Sequence, residues 1–156
     1  MTTLNERIET TLPIEAAFSY IADFANSREW DPGVETAERI DHGPVGIGAR
    51  YRLGVRLGRR VAPMEYRIST FEPPNRVVLV GSGSGVSAVD EIRFERAGTG
   101  TSIDYTAAIR LGGLLRLAQP FLGGAFAGVA RKAADGMSRT LADRARATAE
   151  ESAAPR

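Results

Sequence analysis

One carboxyl group falls on a strand face that is otherwise apolar. Asp90 alternates with its neighbours so that it shares a face with Ala88, Ile92 and Phe94. A carboxyl on a core-facing position must be hydrogen-bonded or have a raised pKa. Asp90 is therefore a candidate for positioning a ligand hydroxyl or for moving a proton. The alternative is that it lies at a strand end, where its side chain reaches water.

Three tyrosines, Tyr51, Tyr66 and Tyr105, fall on inward strand faces by the same alternation. A buried tyrosine needs a hydrogen-bond partner for its hydroxyl, and the polar wall of a cavity could supply one. Ordinary core packing is the alternative for each of them. If the protein is an enzyme, we expect Asp90 and Tyr105 to be its catalytic, proton-handling pair.

Other common catalytic and cofactor sites are absent from the sequence. The chain has no cysteine and a single histidine, His42, which excludes thiol chemistry and multi-histidine metal sites. The glycine-rich run at residues 81–85 lacks the lysine of a phosphate-binding loop and lies between two strand patterns. We therefore expect no metal and no nucleotide cofactor.

The length and charge are those of one globular domain. The chain has 156 residues, of which 43% are hydrophobic, and its 20 basic and 19 acidic residues leave a net charge of +1. Such a balance argues against a nucleic-acid partner, which usually requires a basic footprint. We expect a domain over residues 1–148 and a disordered tail over residues 149–156.

The sequence contains no pattern of a signal peptide or of a membrane span. Its longest uncharged apolar stretch, between Arg116 and Arg131, covers 14 residues and is too short to cross a bilayer. We expect a soluble, cytoplasmic protein without stable membrane insertion.

The periodicity of the apolar residues predicts the strands and helices that position Asp90 and the tyrosines. A first strand at residues 4–11 is followed by a helix entered through Pro13 and by a turn-rich or short helical stretch before Gly33. Six alternating strands follow, and the last is expected to end near Leu111. A sheet of seven strands with one apolar face needs a covering element, and only the last helix is long enough.

That last helix is predicted from an apolar repeat that begins at Phe121 and continues through Phe126 to Leu141. Four glycines, Gly123, Gly124, Gly128 and Gly136, interrupt it. Glycine is unfavourable inside a helix by about 1 kcal/mol, so these positions indicate close approach to the sheet or room for a ligand. We predict that a ligand cavity between sheet and helix is lined by Trp30, Tyr51, Leu53, Met64, Tyr66, Ile68, Ile92, Phe94, Phe121 and Phe126, together with Tyr105.

Five arginines lie in and just after one predicted strand, and they allow a different interpretation of the function. Arg50, Arg52, Arg56, Arg59 and Arg60 could contact an anionic membrane, an acyl carrier protein or RNA. We favour a solvated sheet face on which these arginines pair with glutamates of neighbouring strands, namely Glu65, Glu91 and Glu95.

An ordered set of local signatures resembles the START-like helix-grip superfamily, and within it the bacterial polyketide cyclase/dehydrase and lipid-transport family (SRPBCC). The matching pieces are residues 12–18, Trp30 with Asp31 and Pro32, residues 71–77, Phe94, and the last hairpin at residues 100–105. The resemblance covers about residues 4–145. It implies an α+β fold in which a seven-stranded antiparallel sheet curls around a long C-terminal helix, with two short helices after the first strand.

The resemblance also implies a tunnel that takes hydrophobic or aromatic ligands, without implying one reaction. We expect the protein to bind a lipid-like or polyketide-like small molecule. The first alternative is a cyclase or dehydrase without metal or nucleotide cofactor. The second is an interaction or stress-related protein whose cavity is filled by its own side chains. We expect a monomer or homodimer.

Overall fold

The computed structural model describes residues 1–155 of the chain, which form one sheet and a set of helices. The strands are β1 (Thr2–Thr10), β2 (Val34–Arg39), β3 (Arg50–Leu57), β4 (Arg60–Glu72), β5 (Arg76–Gly83), β6 (Val86–Ala97) and β7 (Gly100–Leu111). They pair antiparallel in the order β1-β7-β6-β5-β4-β3-β2. The first and last strands of the chain are therefore neighbours.

Three α-helices and three 3-10 turns complete the chain. The helices are α1 (Ile14–Ala22), α2 (Ser27–Trp30) and α3 (Gly123–Ala153), and the 3-10 turns are Phe24–Asn26, Gly113–Leu117 and Gln119–Phe121. This arrangement of seven antiparallel strands, two short helices after the first strand and one long C-terminal helix confirms the predicted helix-grip fold.

The tail predicted from residue 149 is helical as far as Ala153. The residues from Ala145 onward are rich in alanine, arginine and glutamate, which are strong helix formers and extend the helix although they are mostly exposed. Arg156 lies outside the described residues.

The inner face of the sheet holds the core, and the outer face is polar. Tyr51, Leu53, Ile68, Ile92 and Phe94 point inward and are each at most 1% exposed. The alternation of the strands produces this arrangement, because successive side chains point to opposite faces.

Arginines on the outer face of the sheet form ion pairs with glutamates, as predicted from the sequence. Not all the glutamates are those predicted. Arg50 pairs with Glu65. Arg52 and Arg56 instead pair with glutamates of β2. Exposed pairs of this kind contribute little to stability.

The middle turns of α3, residues 133–141, hold the helix against the rest of the molecule. Its buried residues are Ala133, Gly136, Met137 and Leu141. The side-chain hydroxyl of Thr140 donates to the backbone carbonyl of Glu29, at the end of α2 (3.2 Å). Nothing between Gly123 and Lys132 is buried. The buried contacts of α3 with α2 and the sheet are therefore made by the middle turns of the helix.

Candidate functional site

The centre of the candidate site is a carboxyl group in an apolar setting. Asp90 lies in the middle of β6 and is 4% exposed. Its register partners are Leu79 on β5 and Ala107 on β7, so apolar residues flank it on both sides. The hydroxyl of Tyr105, on β7, donates a hydrogen bond to Asp90 Oδ1 (2.8 Å). Asp90 and Tyr105, predicted as a pair, are thus in direct contact.

Burial changes the proton affinity of both groups. It raises the pKa of Asp90 from 3.8 to about 7; the hydrogen bond from Tyr105 lowers the pKa, and the negative charge of Asp31 raises it. Burial raises the pKa of Tyr105 well above its usual value, and the charges of Asp90 and Asp31 raise it further. Near neutral pH, Asp90 therefore populates both protonation states while Tyr105 stays protonated.

Tyr66 lies within the electric field of the same carboxyl. Burial raises its pKa well above the usual value, and the charge of Asp90 raises it further. Its ring lies over Gly81, its register partner on β5, where an added Cβ would overlap the ring. Gly81, the first residue of the glycine-rich run at residues 81–85, is a buried strand residue that gives the Tyr66 ring its space.

Two residues at the end of α2, Trp30 and Asp31, also belong to the candidate site. The indole of Trp30 is 2% exposed and meets the Tyr105 ring edge-on, with the ring centroids 6.1 Å apart. Its Nε1–H has no hydrogen-bond partner among residues 1–155. Asp31 Oδ1 accepts the backbone N–H of Gly33 (2.7 Å). Burial raises the pKa of Asp31, and the bond from Gly33 lowers it.

Asp31 is a site residue that the sequence prediction missed. It follows a buried tryptophan and precedes a Pro-Gly pair, where an aspartate commonly caps a turn by accepting the N–H two residues on. That local role gave no indication that its charge also acts on Asp90, which is 59 residues further along the chain.

The other predicted lining residues differ in how far they are buried and in what they contact. Leu53, Met64, Ile68 and Ile92 are buried in the core cluster, and Phe126 is partly buried against it. Phe94 is buried and its ring packs on Phe18 of α1, with the centroids 5.2 Å apart.

Tyr51 is fully buried beside Phe24. Its hydroxyl has no hydrogen-bond partner among residues 1–155, and burial raises its pKa to about 12. It is the register partner of Tyr66 on the neighbouring strand, so it lies one strand further from Asp90.

Phe121 is a correction to the predicted lining. Its side chain is 86% exposed and therefore does not line an enclosed space. The prediction from the apolar repeat assumed one continuous helix from Phe121 onward. Instead, residues 119–121 form a 3-10 turn around Pro120, and α3 begins only at Gly123. The change from three to 3.6 residues per turn rotates Phe121 out of phase with the helix.

An open groove of about 540 Å³ lies on another part of the surface. Its lining includes Arg28, Thr36, Glu38 and Arg52, and it contains neither Asp90 nor Tyr105. An ion pair between Glu38 and Arg52 spans part of it (3.4 Å). We therefore place the candidate site at the buried carboxyl and not at this groove.

The described residues hold neither a metal cluster nor a membrane-spanning helix. Residues 1–155 contain no cluster of three histidine or carboxylate side chains that could hold a metal ion. Within the same range, no helix has the length and apolar character needed to cross a membrane.

Comparisons with known proteins agree with the fold. Residues 1–150 match the family model described as "Polyketide cyclase / dehydrase and lipid transport". No curated protein matches the chain in sequence.

Solved structures share the fold at low sequence identity. A START superfamily protein from Mycobacterium smegmatis has a TM-score of 0.76 at 10% identity, with 90% of this chain and 97% of that one covered. The Zhui aromatase/cyclase from Streptomyces sp. R1128 has a TM-score of 0.70 at 12% identity, with 89% and 92% covered. A protein from Thermus thermophilus has a TM-score of 0.72 at 14% identity, with 89% and 96% covered. With the family match spanning nearly the whole chain, the protein belongs to the polyketide cyclase/dehydrase and lipid transport family.

Proposed function

We propose that the protein binds a hydrophobic or aromatic small molecule between the inner face of the sheet and α3, with Asp90 and Tyr105 at the polar end of the ligand. The observation that carries this proposal is the hydrogen bond between Asp90, which is buried, and Tyr105, which is partly buried. A carboxyl buried in apolar surroundings lowers stability unless it is fully paired, and residues 1–155 supply only one hydrogen bond to Asp90. Packing alone would favour an apolar residue at this position, so we attribute the carboxyl to ligand recognition.

Two further observations support the location. On the inward face of β7, Tyr105 and Ile109 are only partly buried, although Ile103 and Ala107 beside them are buried. The first ten residues of α3, which follow the end of β7, contain no buried residue. Incomplete coverage of an inward strand face supports a ligand position there. The unpaired indole N–H of Trp30 supplies a second polar contact, since a buried donor without an acceptor is unfavourable.

Native mass spectrometry of the freshly purified protein, with a denatured run for comparison, tests this proposal. We expect an excess mass that disappears on denaturation, because an apolar ligand held by burial is released when the fold is lost. Solvent extraction of the same sample would then identify the ligand class. The proposal would be contradicted if the purified protein carried no excess mass and formed no one-to-one complex when incubated with 2-naphthol, an aromatic ring with one hydroxyl. That result would favour an interior filled by its own side chains.

A second candidate function, acid–base catalysis of the cyclase or dehydrase type, is favoured by the pKa of about 7 at Asp90. A catalytic base works best with a pKa near the operating pH. In an aldol closure, the Asp90 carboxylate would take a proton from a methylene between two carbonyls. The carbanion would then form a carbon–carbon bond with a ketone carbon, and the resulting alkoxide would regain a proton from the Asp90 carboxyl. Tyr105 would hold the reacting oxygen by its hydroxyl.

A further inference from the structure

Most of the large apolar side chains that are exposed among residues 1–155 lie at one end of the sheet. This end consists of the β3–β4 hairpin, the β5–β6 hairpin, the two 3-10 turns after β7 and the start of α3. We call it the apolar end. Leu114, Leu117 and Phe121 are 87%, 73% and 86% exposed there, and Leu57, Leu115 and Val129 are also exposed.

These exposed side chains are concentrated in one short segment. From Gly112 to Lys132 the only buried residue is Gln119, which ties the segment to the sheet: its side-chain oxygen accepts the backbone N–H of Leu111 (3.2 Å), and its amide donates to the carbonyl of Ile109 (2.8 Å). The segment is therefore anchored through a polar side chain while its leucines and Phe121 project outward. Exposed apolar patches of this kind mark interaction sites.

The charged residues of the 3-10 turns after β7 and of the start of α3 are all basic. Between Asp104 and Asp135 the sequence has no acidic residue. Four basic residues, Arg110, Arg116, Arg131 and Lys132, lie in that interval, and all are exposed. The β3–β4 hairpin adds Arg59 and Arg60. None of the ion pairs within residues 1–155 involves any of these six side chains.

Exposed apolar side chains together with unpaired basic residues in the same and neighbouring segments match the two requirements of an anionic bilayer surface. Large apolar side chains enter the boundary between headgroups and acyl chains, and lysine or arginine side chains attract anionic headgroups. A second copy of this chain is a poorer fit, because pairing the apolar end with itself would bring like charges together. A bilayer also accepts side chains that project from the surface, such as Leu114 and Phe121, without needing a complementary pocket.

We propose that the apolar end docks on the surface of an anionic lipid bilayer, with Leu114, Leu117 and Phe121 inserted at the interface and the basic residues around them on the headgroups. This inference rests on exposed side chains that do not include Asp90 or Tyr105, and it stands whether or not the ligand proposal is correct.

Vesicle flotation of the full-length protein tests this inference. We expect the protein to float with vesicles of phosphatidylcholine containing about one quarter phosphatidylserine, and not with pure phosphatidylcholine, because the charge term supplies much of the binding. Added salt should release it. The substitutions Arg116→Glu and Lys132→Glu should each lower the partition coefficient by about fivefold or more, and Leu117→Ser with Phe121→Ser should abolish binding.

Matched controls make the test specific. Arg67→Glu reverses one charge on the outer face of the sheet, and Val80→Ser with Val89→Ser removes two exposed valines there; neither change should alter flotation. Because the chain has no cysteine, Leu117→Cys can carry a single environment-sensitive dye, whose emission should shift to the blue on anionic vesicles.

Three results would overturn the proposal. The first is the absence of flotation with anionic vesicles. The second is flotation that the Leu117 and Phe121 substitutions leave unchanged. The third is a concentration-dependent dimer in sedimentation velocity that these same substitutions abolish, since the apolar end would then be covered by a second copy.

Discussion

The Asp90→Asn variant is expected to gain stability over the wild-type protein as the pH rises. The pKa of this carboxyl is 3.8 in the unfolded chain and about 7 in the folded protein, so the folded state binds the proton more tightly. The stabilisation from that proton is fully present below about pH 4 and is lost as the pH rises through about 7. The whole loss amounts to about 4 kcal/mol, of which about 3 kcal/mol falls between about pH 5 and pH 8.

Urea unfolding of both proteins at these two pH values measures the effect. Asparagine has no proton to lose, and its side-chain oxygen can still accept the hydrogen bond from Tyr105. The difference in the free energy of unfolding between variant and wild type should therefore grow by about 3 kcal/mol from about pH 5 to pH 8. A difference that stays constant with pH would show that the folded pKa of Asp90 is not raised.

Asp104→Asn is the matched control, because it removes a carboxyl from the same sheet at a partly exposed position. Its pKa is lowered, first by the hydrogen bond from Arg7. That carboxylate stabilises the fold above its unfolded pKa, and the contribution is lost as the pH falls through its folded pKa. The control should therefore lower stability at neutral pH, a change opposite in sign to that of Asp90→Asn.

The same Asp90→Asn variant separates binding from catalysis. In a carrier, asparagine preserves an acceptor and ligand affinity should change little. In a cyclase, turnover of a poly-β-keto thioester should fall by about 10²-fold or more, a typical contribution of one acid–base group. A variant with wild-type turnover would exclude Asp90 as the catalytic base.

The Gly136→Ala variant is expected to lose about 3 kcal/mol of stability, because helix α3 lies against the backbone of α2 at this residue. A Cβ at Gly136 would overlap the carbonyl oxygen of Trp30. Backbone atoms cannot move aside as a flexible side chain can, so the helix would have to shift. That shift would also disturb the Trp30 indole beside Tyr105.

Gly128→Ala provides the comparison within the same helix. An added Cβ at Gly128 meets no atom within 4 Å, so the variant should gain up to about 1 kcal/mol from the better helix propensity of alanine. Thermal unfolding of the two variants beside the wild type measures both effects. A Gly136→Ala protein as stable as Gly128→Ala would contradict the described contact between α3 and α2.

The strand pattern predicted the fold and the faces of Asp90 and Tyr105 because side chains in a strand alternate with a period of two. Because β6 and β7 form one antiparallel hairpin, inward-facing residues of the two strands lie beside each other. Asp90 and Tyr105 are neighbours of this kind. Local sequence was sufficient for these residues since they are only 15 positions apart.

The sequence predictions that were wrong or incomplete concern contacts between distant segments or a change of helical period. The effect of Asp31 on Asp90 and the position of Gly136 against Trp30 require α2 and α3 to dock, and no local pattern encodes that docking. The four glycines of α3 looked equivalent in sequence, yet only Gly136 makes a close approach, and it does so to α2 and not to the sheet. Phe121 was misplaced because 3-10 turns interrupt the apolar repeat before α3 begins.

The most direct measurement of the central claim compares two ligands of nearly the same shape, 2-naphthol and 2-methylnaphthalene, by fluorescence titration at about pH 8, where Asp90 is ionised. A hydrogen bond to a charged acceptor is worth about 1.5–3 kcal/mol, so the wild type should bind the naphthol about tenfold to a hundredfold more tightly. Asp90→Leu, which keeps the approximate shape and removes the acceptor, should abolish this preference. Equal affinities of the wild type for the two compounds, or no saturable binding of either, would contradict the claim that Asp90 is the polar anchor of a hydrophobic ligand site.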